Sequence, residues 1–86
     1  MFKVVLHKRA VRYLQRLSKL QKTKIKDQLK ELQSEPTSKP QVKQMVGDWK
    51  GYYRMRSGNT RIIFWIDHAS NIVYVDHIGP RGDIYK

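Results

Sequence analysis

Three arginines surround a Gly58–Asn59 pair in the second half of the chain: Arg54, Arg56 and Arg61. If the pair forms a two-residue hairpin turn, Arg56 lies directly opposite Arg61 on the neighbouring strand. Like charges in that position are unfavourable, and a bound anion would offset the repulsion. Because the planar guanidinium group matches the geometry of phosphate, the spacing favours a phosphate site at this hairpin. The alternative is that the arginines extend into water and cover Trp65.

The C-terminal tail adds two residues of similar chemistry. Arg81 follows the Gly79–Pro80 pair, and Tyr85 comes four residues later. A tyrosine at that place can stack on an unpaired base, while a neighbouring arginine contacts the phosphate. The alternative is that Tyr85 covers the edge of the core and that Arg81 pairs with Asp83.

A cluster of cations around a phosphate could promote RNA cleavage, in which the 2′-hydroxyl attacks the adjacent phosphorus. Negative charge grows on the phosphoryl oxygens during this attack, and fixed cations stabilise it. A general base would assist, and the candidates are His77, Asp76 and Tyr52. His77 titrates in a useful range, although a histidine inside a strand is more often structural.

Other chemistries find little support in the sequence. His7, His68 and His77 lack the spacing of a metal site, and the chain has no cysteine. No glycine-rich phosphate loop ending in Gly-Lys-Ser or Gly-Lys-Thr is present. We therefore expect neither a metal nor another cofactor.

Length and charge limit the possible partners. The 86 residues form one domain, residues 1–86, and 18 Lys and Arg against 7 Asp and Glu give a formal net charge of +11. Such an excess favours a polyanionic partner, either nucleic acid or an acidic protein. The longest apolar run, Ile62–Ile66, is too short to span a membrane. Since no apolar segment typical of a signal peptide follows the N-terminus, we expect a cytoplasmic protein that binds no membrane.

Hydrophobic spacing predicts a strand followed by two helices. Phe2–Leu6 is a short apolar run typical of a strand. From Lys8 onward apolar residues recur at helical spacing, which predicts one amphipathic helix, a polar break at residues 21–24 and a second helix that ends at Pro36.

Strand-forming residues predominate after Pro40. Val42–Val46 is a weak strand candidate, and residues 52–56, 61–66 and 72–78 are stronger ones. The hairpin register places apolar residues on one face: Tyr53, Met55, Ile62, Phe64 and Ile66. The opposite face carries the arginines together with Tyr52, Ile63 and Trp65. The predicted fold is therefore α+β, with a two-helix hairpin packed on a small, mainly antiparallel sheet in the order β-α-α-β-β-β.

Two stretches of the chain resemble a known family. They are Gly47–Phe64, with the sequence GDWKGYYRMRSGNTRIIF, and Ile78–Tyr85, with the sequence IGPRGDIY. Together with the helix hairpin they are similar to the RelE/ParE superfamily of toxins from type II toxin–antitoxin modules, over essentially the whole chain. The resemblance implies a small sheet holding two helices on one side. It also implies a cognate antitoxin as the protein partner that represses the toxin.

This superfamily has two functional branches. RelE-like members cleave messenger RNA in the ribosomal A site without a metal, whereas ParE-like members inhibit DNA gyrase. The resemblance implies that Arg61 and Arg81 contact the scissile phosphate and that Tyr85 stacks on the substrate. Arg54 and Tyr52 fall where some members have lysines.

With this resemblance, the expected function is that of a ribosome-dependent messenger RNA endoribonuclease that also contacts ribosomal RNA. The expected catalytic residues are Arg54, Arg61, Arg81 and Tyr85, and the expected RNA-binding residues are Tyr52, Arg56 and His77. Because arginine stays protonated, Arg54 is a poor general base. A ParE-like gyrase inhibitor without enzymatic activity is the alternative.

Overall fold

The computed structural model describes residues 1–38 and 40–80. Two helices, a short 3₁₀ turn and five strands occupy this part of the chain. In chain order they are β1 (Lys3–Leu6), α1 (Lys8–Gln15), α2 (Lys19–Ser34), β2 (Val42–Gln44), the 3₁₀ turn (Gly47–Trp49), β3 (Tyr53–Ser57), β4 (Thr60–Asp67) and β5 (Ile72–Pro80).

The strands form one sheet in the order β1-β5-β4-β3-β2. All neighbouring pairs are antiparallel except β1 and β5, which run parallel. The predicted α+β class, with two helices on a mainly antiparallel sheet, is confirmed, and the structure shows that the first strand is the one that pairs in parallel. The weak candidate after Pro40 forms a three-residue edge strand, Val42–Gln44, and brings the sheet to five strands.

Both helices pack on one face of the sheet, here called the helix face. Ala10 and Leu14 of α1, together with Leu32 of α2, are buried there against Phe64 and Met55 of the sheet. These side chains follow the helical and strand periodicities of the sequence, and they form a continuous apolar core. The opposite side is here called the helix-free face.

The predicted polar break at residues 21–24 is wrong, because these residues are helical. The chain turns earlier, and Ser18 is the N-cap of α2. Its hydroxyl accepts a hydrogen bond from the Gln21 amide at 3.2 Å. Polar residues that are good helix formers do not end a helix, whereas a serine that can satisfy a free amide begins one.

The hairpin register predicted from the Gly58–Asn59 turn is confirmed. Arg56 pairs with Arg61, Tyr53 pairs with Phe64, and Gly58 takes a φ of 60° that suits glycine in such a turn. The arginines therefore lie on the helix-free face, because their positions alternate with the core residues of the same strands.

The pairing of β4 with β5 has an irregularity that changes which β5 residues face each side of the sheet. Ile63 pairs with His77, but the next residue, Phe64, pairs with Val75. Asp76 is therefore the extra residue of a β-bulge. The bulge keeps His77 opposite Ile63 on the helix-free face while Val75 remains in the core. Within residues 1–38 and 40–80, no helix has the length and apolarity needed to cross a membrane.

Candidate functional site

The helix-free face carries cationic side chains from three neighbouring strands, in two rows. In one row Lys43 of β2 pairs with Arg54 of β3, which pairs with Ile63 of β4. In the next row Arg56 lies opposite Arg61. Strand pairing therefore brings four cationic side chains onto one surface, as the arginine spacing predicts.

The three arginines differ in how far they are buried. Arg61 is only 9% exposed, Arg54 is half-buried, and Arg56 is exposed. Arginine side chains carry a positive charge in proteins. A cation under low exposure also interacts more strongly with an anion than one in open water does. Arg61 is therefore the best placed of the three to hold a fixed positive charge.

Two adjoining cavities meet at the Arg54–Arg61 pair. The first has a volume of about 290 Å³ and lies between these arginines and the chain segment that contains Val46 and Trp49. The second, of about 480 Å³, extends from the same pair towards Lys43 and Arg56. Among residues 1–38 and 40–80, no carboxylate lines either cavity. The two cavities share these arginines, and together they form a cationic surface here called the arginine basin.

Trp49 forms one wall of the arginine basin, and the sequence analysis did not select it. Its ring contacts the Tyr52 ring edge-on at a centroid distance of 5.2 Å and the His77 ring at 6.2 Å. Since His77 is on β5, the segment that carries Trp49 reaches across β4 on the helix-free face, where Ile63 is fully buried.

Local backbone geometry explains why this segment folds back over the sheet. Gly47 and Gly51 take φ values of 70° and 95°, which L-residues with a side chain rarely adopt. The amide of Met45 donates to the Tyr52 carbonyl at 2.9 Å, which closes the loop at its base. A tryptophan between two glycines, next to basic strands, is the signal by which the sequence could have indicated this residue.

The surroundings of His77 favour its neutral form. Burial is the main cause that lowers its pKa below the ordinary value of 6.5, and the charge of Arg9 lowers it further. His7 acts in the same direction, whereas Asp76 raises the pKa. A neutral imidazole near pH 7 can accept a proton, which a general base must do.

The bulge next to His77 is fixed by α1. The Arg9 guanidinium donates through Nε to the Asp76 carbonyl at 3.1 Å and through Nη2 to Asp76 Oδ1 at 3.4 Å. These two contacts, here called the clasp, hold the extra residue of the bulge in place. They thereby fix the position of His77, the next residue of β5, whose ring contacts Trp49.

The structure therefore brings together most of the predicted site residues that it describes. Arg54 and Arg61 line both cavities, Arg56 lines the second, and Tyr52 and His77 meet through Trp49. Arg81 and Tyr85 lie outside the described residues. Across residues 1–38 and 40–80 no group of three His, Asp or Glu side chains is arranged to hold a metal ion. Chemically, the basin offers fixed cations for phosphate oxygens and aromatic edges for a base.

Comparison with known proteins gives the family. A sequence model described as "ParE toxin of type II toxin-antitoxin system, parDE" matches residues 4–85. The chain belongs to this toxin family. A search of curated protein sequences finds no match.

Solved structures give the same fold. A chain of the archaeal RelE–RelB complex from Pyrococcus horikoshii is 26% identical, with a TM-score of 0.82 over 95% of this chain and 97% of that chain. A chain of a RelBE toxin–antitoxin complex from Mycobacterium tuberculosis is 21% identical, with a TM-score of 0.82 over 93% and 98% of the two chains. The isolated RelE toxin from Escherichia coli is 17% identical, with a TM-score of 0.78 over 99% and 92%. The chain is thus a RelE/ParE-superfamily toxin of a type II toxin–antitoxin system, and the predicted superfamily is confirmed.

Proposed function

We propose that this toxin is a messenger RNA endoribonuclease that acts in the ribosomal A site and so inhibits translation. The observation that carries the proposal is the arginine basin. Its two cavities share Arg54 and Arg61, and Lys43 and Arg56 line the second, so the described lining suits a polyphosphate chain rather than a cationic substrate.

In the proposed reaction the 2′-hydroxyl of the message attacks the adjacent phosphorus. The bond from phosphorus to the 5′-oxygen of the next nucleotide breaks, which leaves a cyclic phosphate and a 5′-hydroxyl. Arg61 stabilises the charge that grows on the phosphoryl oxygens, and Arg54 adds a second cation from across the basin. Since both are side chains of this protein, the proposed charge stabilisation needs no metal.

His77 is the proposed general base, because its pKa is lowered and its ring reaches the wall of the basin through Trp49. Tyr52 and Trp49 offer faces and edges on which a base of the message can stack. Arg56, which is exposed, attracts and orients the strand. Arg81 and Tyr85 join the catalytic set on the family resemblance alone.

The proposed partners follow from charge and kinship. A net charge of +11 suits ribosomal RNA as well as the message, and it also suits an acidic or mixed antitoxin. Similar chains have been solved in complexes described as RelE–RelB and RelBE. We propose that a cognate antitoxin likewise covers this toxin in the cytoplasm and represses it.

A second candidate function is inhibition of DNA gyrase without catalysis. The matching family model is described as ParE. In addition, Arg54 and Tyr52 stand where some RelE-like members have lysines. Under this alternative the same basin would bind a protein or DNA surface instead of a reacting phosphate.

Primer extension on cellular messages after brief expression, run beside a gyrase supercoiling assay, decides between the two. Cuts inside translated codons that disappear with Arg61→Gln support the nuclease. Intact messages together with inhibited gyrase would reject it in favour of the ParE-like activity. An Arg12→Gln variant serves as the matched control, because Arg12 is an exposed arginine of α1 that lines neither cavity.

A further inference from the structure

A third cavity lies at the other side of the hairpin turn, between the turn and α2. It has a volume of about 240 Å³ and is lined by Gln21, Lys24 and Ile25 of α2 and by residues 57–60 of the hairpin. Most of these side chains are polar, one is a cation, and none is a carboxylate. This lining suits an anion, because it offers one positive charge and no negative charge that would repel the ligand.

The hydroxyl of Ser57 gives the cavity a specific feature. Ser57 is only 7% exposed, and within the described residues its Oγ is buried with no hydrogen-bond partner. Buried polar groups are nearly always hydrogen-bonded, so an orphaned one calls for an explanation. Ser57 lies in the wall of the third cavity. Its Oγ is shielded from solvent in this structure, so the side chain must rotate for the hydroxyl to donate to an oxygen of a ligand there.

Lys24 supplies the charge for such a ligand. Its Nζ lies 3.8 Å from the position that a Cβ on Gly58 would occupy, so the ammonium group stands directly over the hairpin turn. Because Gly58 has no side chain, the turn leaves room for a ligand to approach the ammonium group. Thr60 and Asn59 add a hydroxyl and an amide at the same end of the hairpin.

The third cavity shares a lining residue with the arginine basin. Gly58 lines both the cavity that contains Arg54, Arg56 and Arg61 and the cavity that contains Lys24 and Ser57. A chain of phosphates that leaves the basin over the turn therefore arrives at Lys24. Single-stranded nucleic acids follow cationic grooves of this kind along their backbone.

We propose that the Lys24–Ser57 cavity is a second phosphate subsite, which holds a phosphate of the same RNA strand outside the reacting position. Lys24 Nζ neutralises the phosphate, and the Ser57 hydroxyl donates to one of its oxygens. The subsite rests on the proposed function in its choice of RNA as the strand. It extends the binding track from the helix-free face, around the Gly58 turn, to α2.

The test measures RNA binding without the ribosome. Full-length toxin is titrated into a fluorescein-labelled dodecauridylate, and anisotropy is followed over a series of salt concentrations. Lys24→Gln should weaken binding roughly two- to fivefold and should lower the salt slope by about 0.7, the value of one single-stranded phosphate contact. Lys26→Gln is the matched control, because it removes the same charge from an exposed residue of α2 that does not line the cavity. Equal losses in Lys24→Gln and Lys26→Gln would overturn the proposal, since they would indicate non-specific attraction.

Ser57→Ala gives an independent readout. Because the hydroxyl has no partner among the described residues, its removal should leave the melting temperature unchanged or raise it, while RNA binding falls roughly tenfold. Unchanged RNA binding in Ser57→Ala would overturn the subsite. The same holds if Lys24→Gln weakened only the complex with the antitoxin, because the cavity would then receive a carboxylate of that protein.

The subsite and the nuclease can fail separately. If wild-type toxin leaves messages intact on programmed ribosomes but Lys24→Gln and Ser57→Ala still weaken RNA binding as stated, the nuclease proposal fails and the phosphate subsite is supported. If messages are cut and neither variant differs from the Lys26→Gln control, the subsite fails and the nuclease is supported.

Discussion

The two faces of the sheet are buried by different means. On the helix face, Phe64 and Met55 are fully buried under two helices, within one continuous apolar core. On the helix-free face, Ile63 is equally buried, but the loop that contains Trp49 reaches over its strand towards His77. Packing against helices produces stability on the first face. Partial cover by a loop leaves cavities on the second, and the arginines line them.

β4 contributes to both faces: it supplies side chains to the apolar core and an arginine to the arginine basin. β4 is the central strand of the sheet, and its four consecutive residues Arg61–Phe64 are buried on alternating faces. Ile62 and Phe64 hold the strand in the core, which fixes the backbone position of Arg61. A cation placed by a rigid strand needs little reorganisation when the charge of a transition state develops.

The largest expected effect is a loss of stability, and it should differ between core residues on the two faces of the sheet. Phe64→Ala should lower the free energy of unfolding by about 3–5 kcal/mol, because it opens a large cavity in the helix-face core. Ile63→Ala, at an equally buried neighbour, should cost less than Phe64→Ala, since a loop can collapse onto the smaller side chain more easily than two packed helices can. Urea unfolding measures both. A greater loss in Ile63→Ala would contradict the view that the loop is only a partial cover.

Trp49 tests whether the loop contributes to binding. Trp49→Ala should weaken the binding of single-stranded RNA by about 1–3 kcal/mol, because it removes an aromatic wall of the basin. Trp65→Ala is the matched control. Trp65 is on the same face and 36% exposed, but it stacks on Tyr74 at 4.5 Å and lines neither cavity. Fluorescence anisotropy with a labelled oligonucleotide gives both values, and equal losses would show that Trp49 has no special role.

The smallest expected effect concerns pH and His77. Since its pKa is lowered in the folded chain, the unfolded chain binds more protons between that pKa and 6.5. This contribution to stability is therefore complete above pH 6.5 and is lost as the pH falls through the folded pKa. Urea unfolding from pH 5 to pH 8 should show stability rising with pH, and the slope should be shallower in His77→Gln. An unchanged slope in the variant would mean that other groups carry the dependence.

The sequence predicted the parts of the fold that depend on local rules. The Gly58–Asn59 turn fixed the register, and alternation then assigned Met55 and Phe64 to the core and Arg61 to the other face. The start of α2 differs from the prediction, because the Ser18 hydroxyl caps the helix three residues before the polar stretch that suggested a break. The bulge at Asp76 was also missed, since its clasp to Arg9 joins residues that are far apart in the chain.

The sequence predicted the charged residues of the candidate site, but it did not predict the Trp49 loop that lies over them. Arg54, Arg56 and Arg61 could be identified because their spacing places them on one face. The closure of the Trp49 loop depends on two glycines with positive φ and on a ring contact across the sheet, neither of which periodicity reveals. Arg61 is buried and lines the same cavity as Trp49, and strand alternation alone does not distinguish its burial from that of the other arginines.

The central claim is that the buried arginine of the hairpin pair stabilises the reacting phosphate. Single-turnover cleavage of a message on a programmed ribosome tests it directly, with Arg61→Gln compared with its exposed cross-strand partner in Arg56→Gln. We predict a loss of roughly a hundred- to a thousandfold in the rate for Arg61→Gln and a much smaller loss for Arg56→Gln. Both variants should keep the melting temperature of the wild type, and their affinity for the antitoxin should stay within a few-fold of the wild-type value. Equal losses in the two variants, or full activity in Arg61→Gln with the fold intact, would contradict the account.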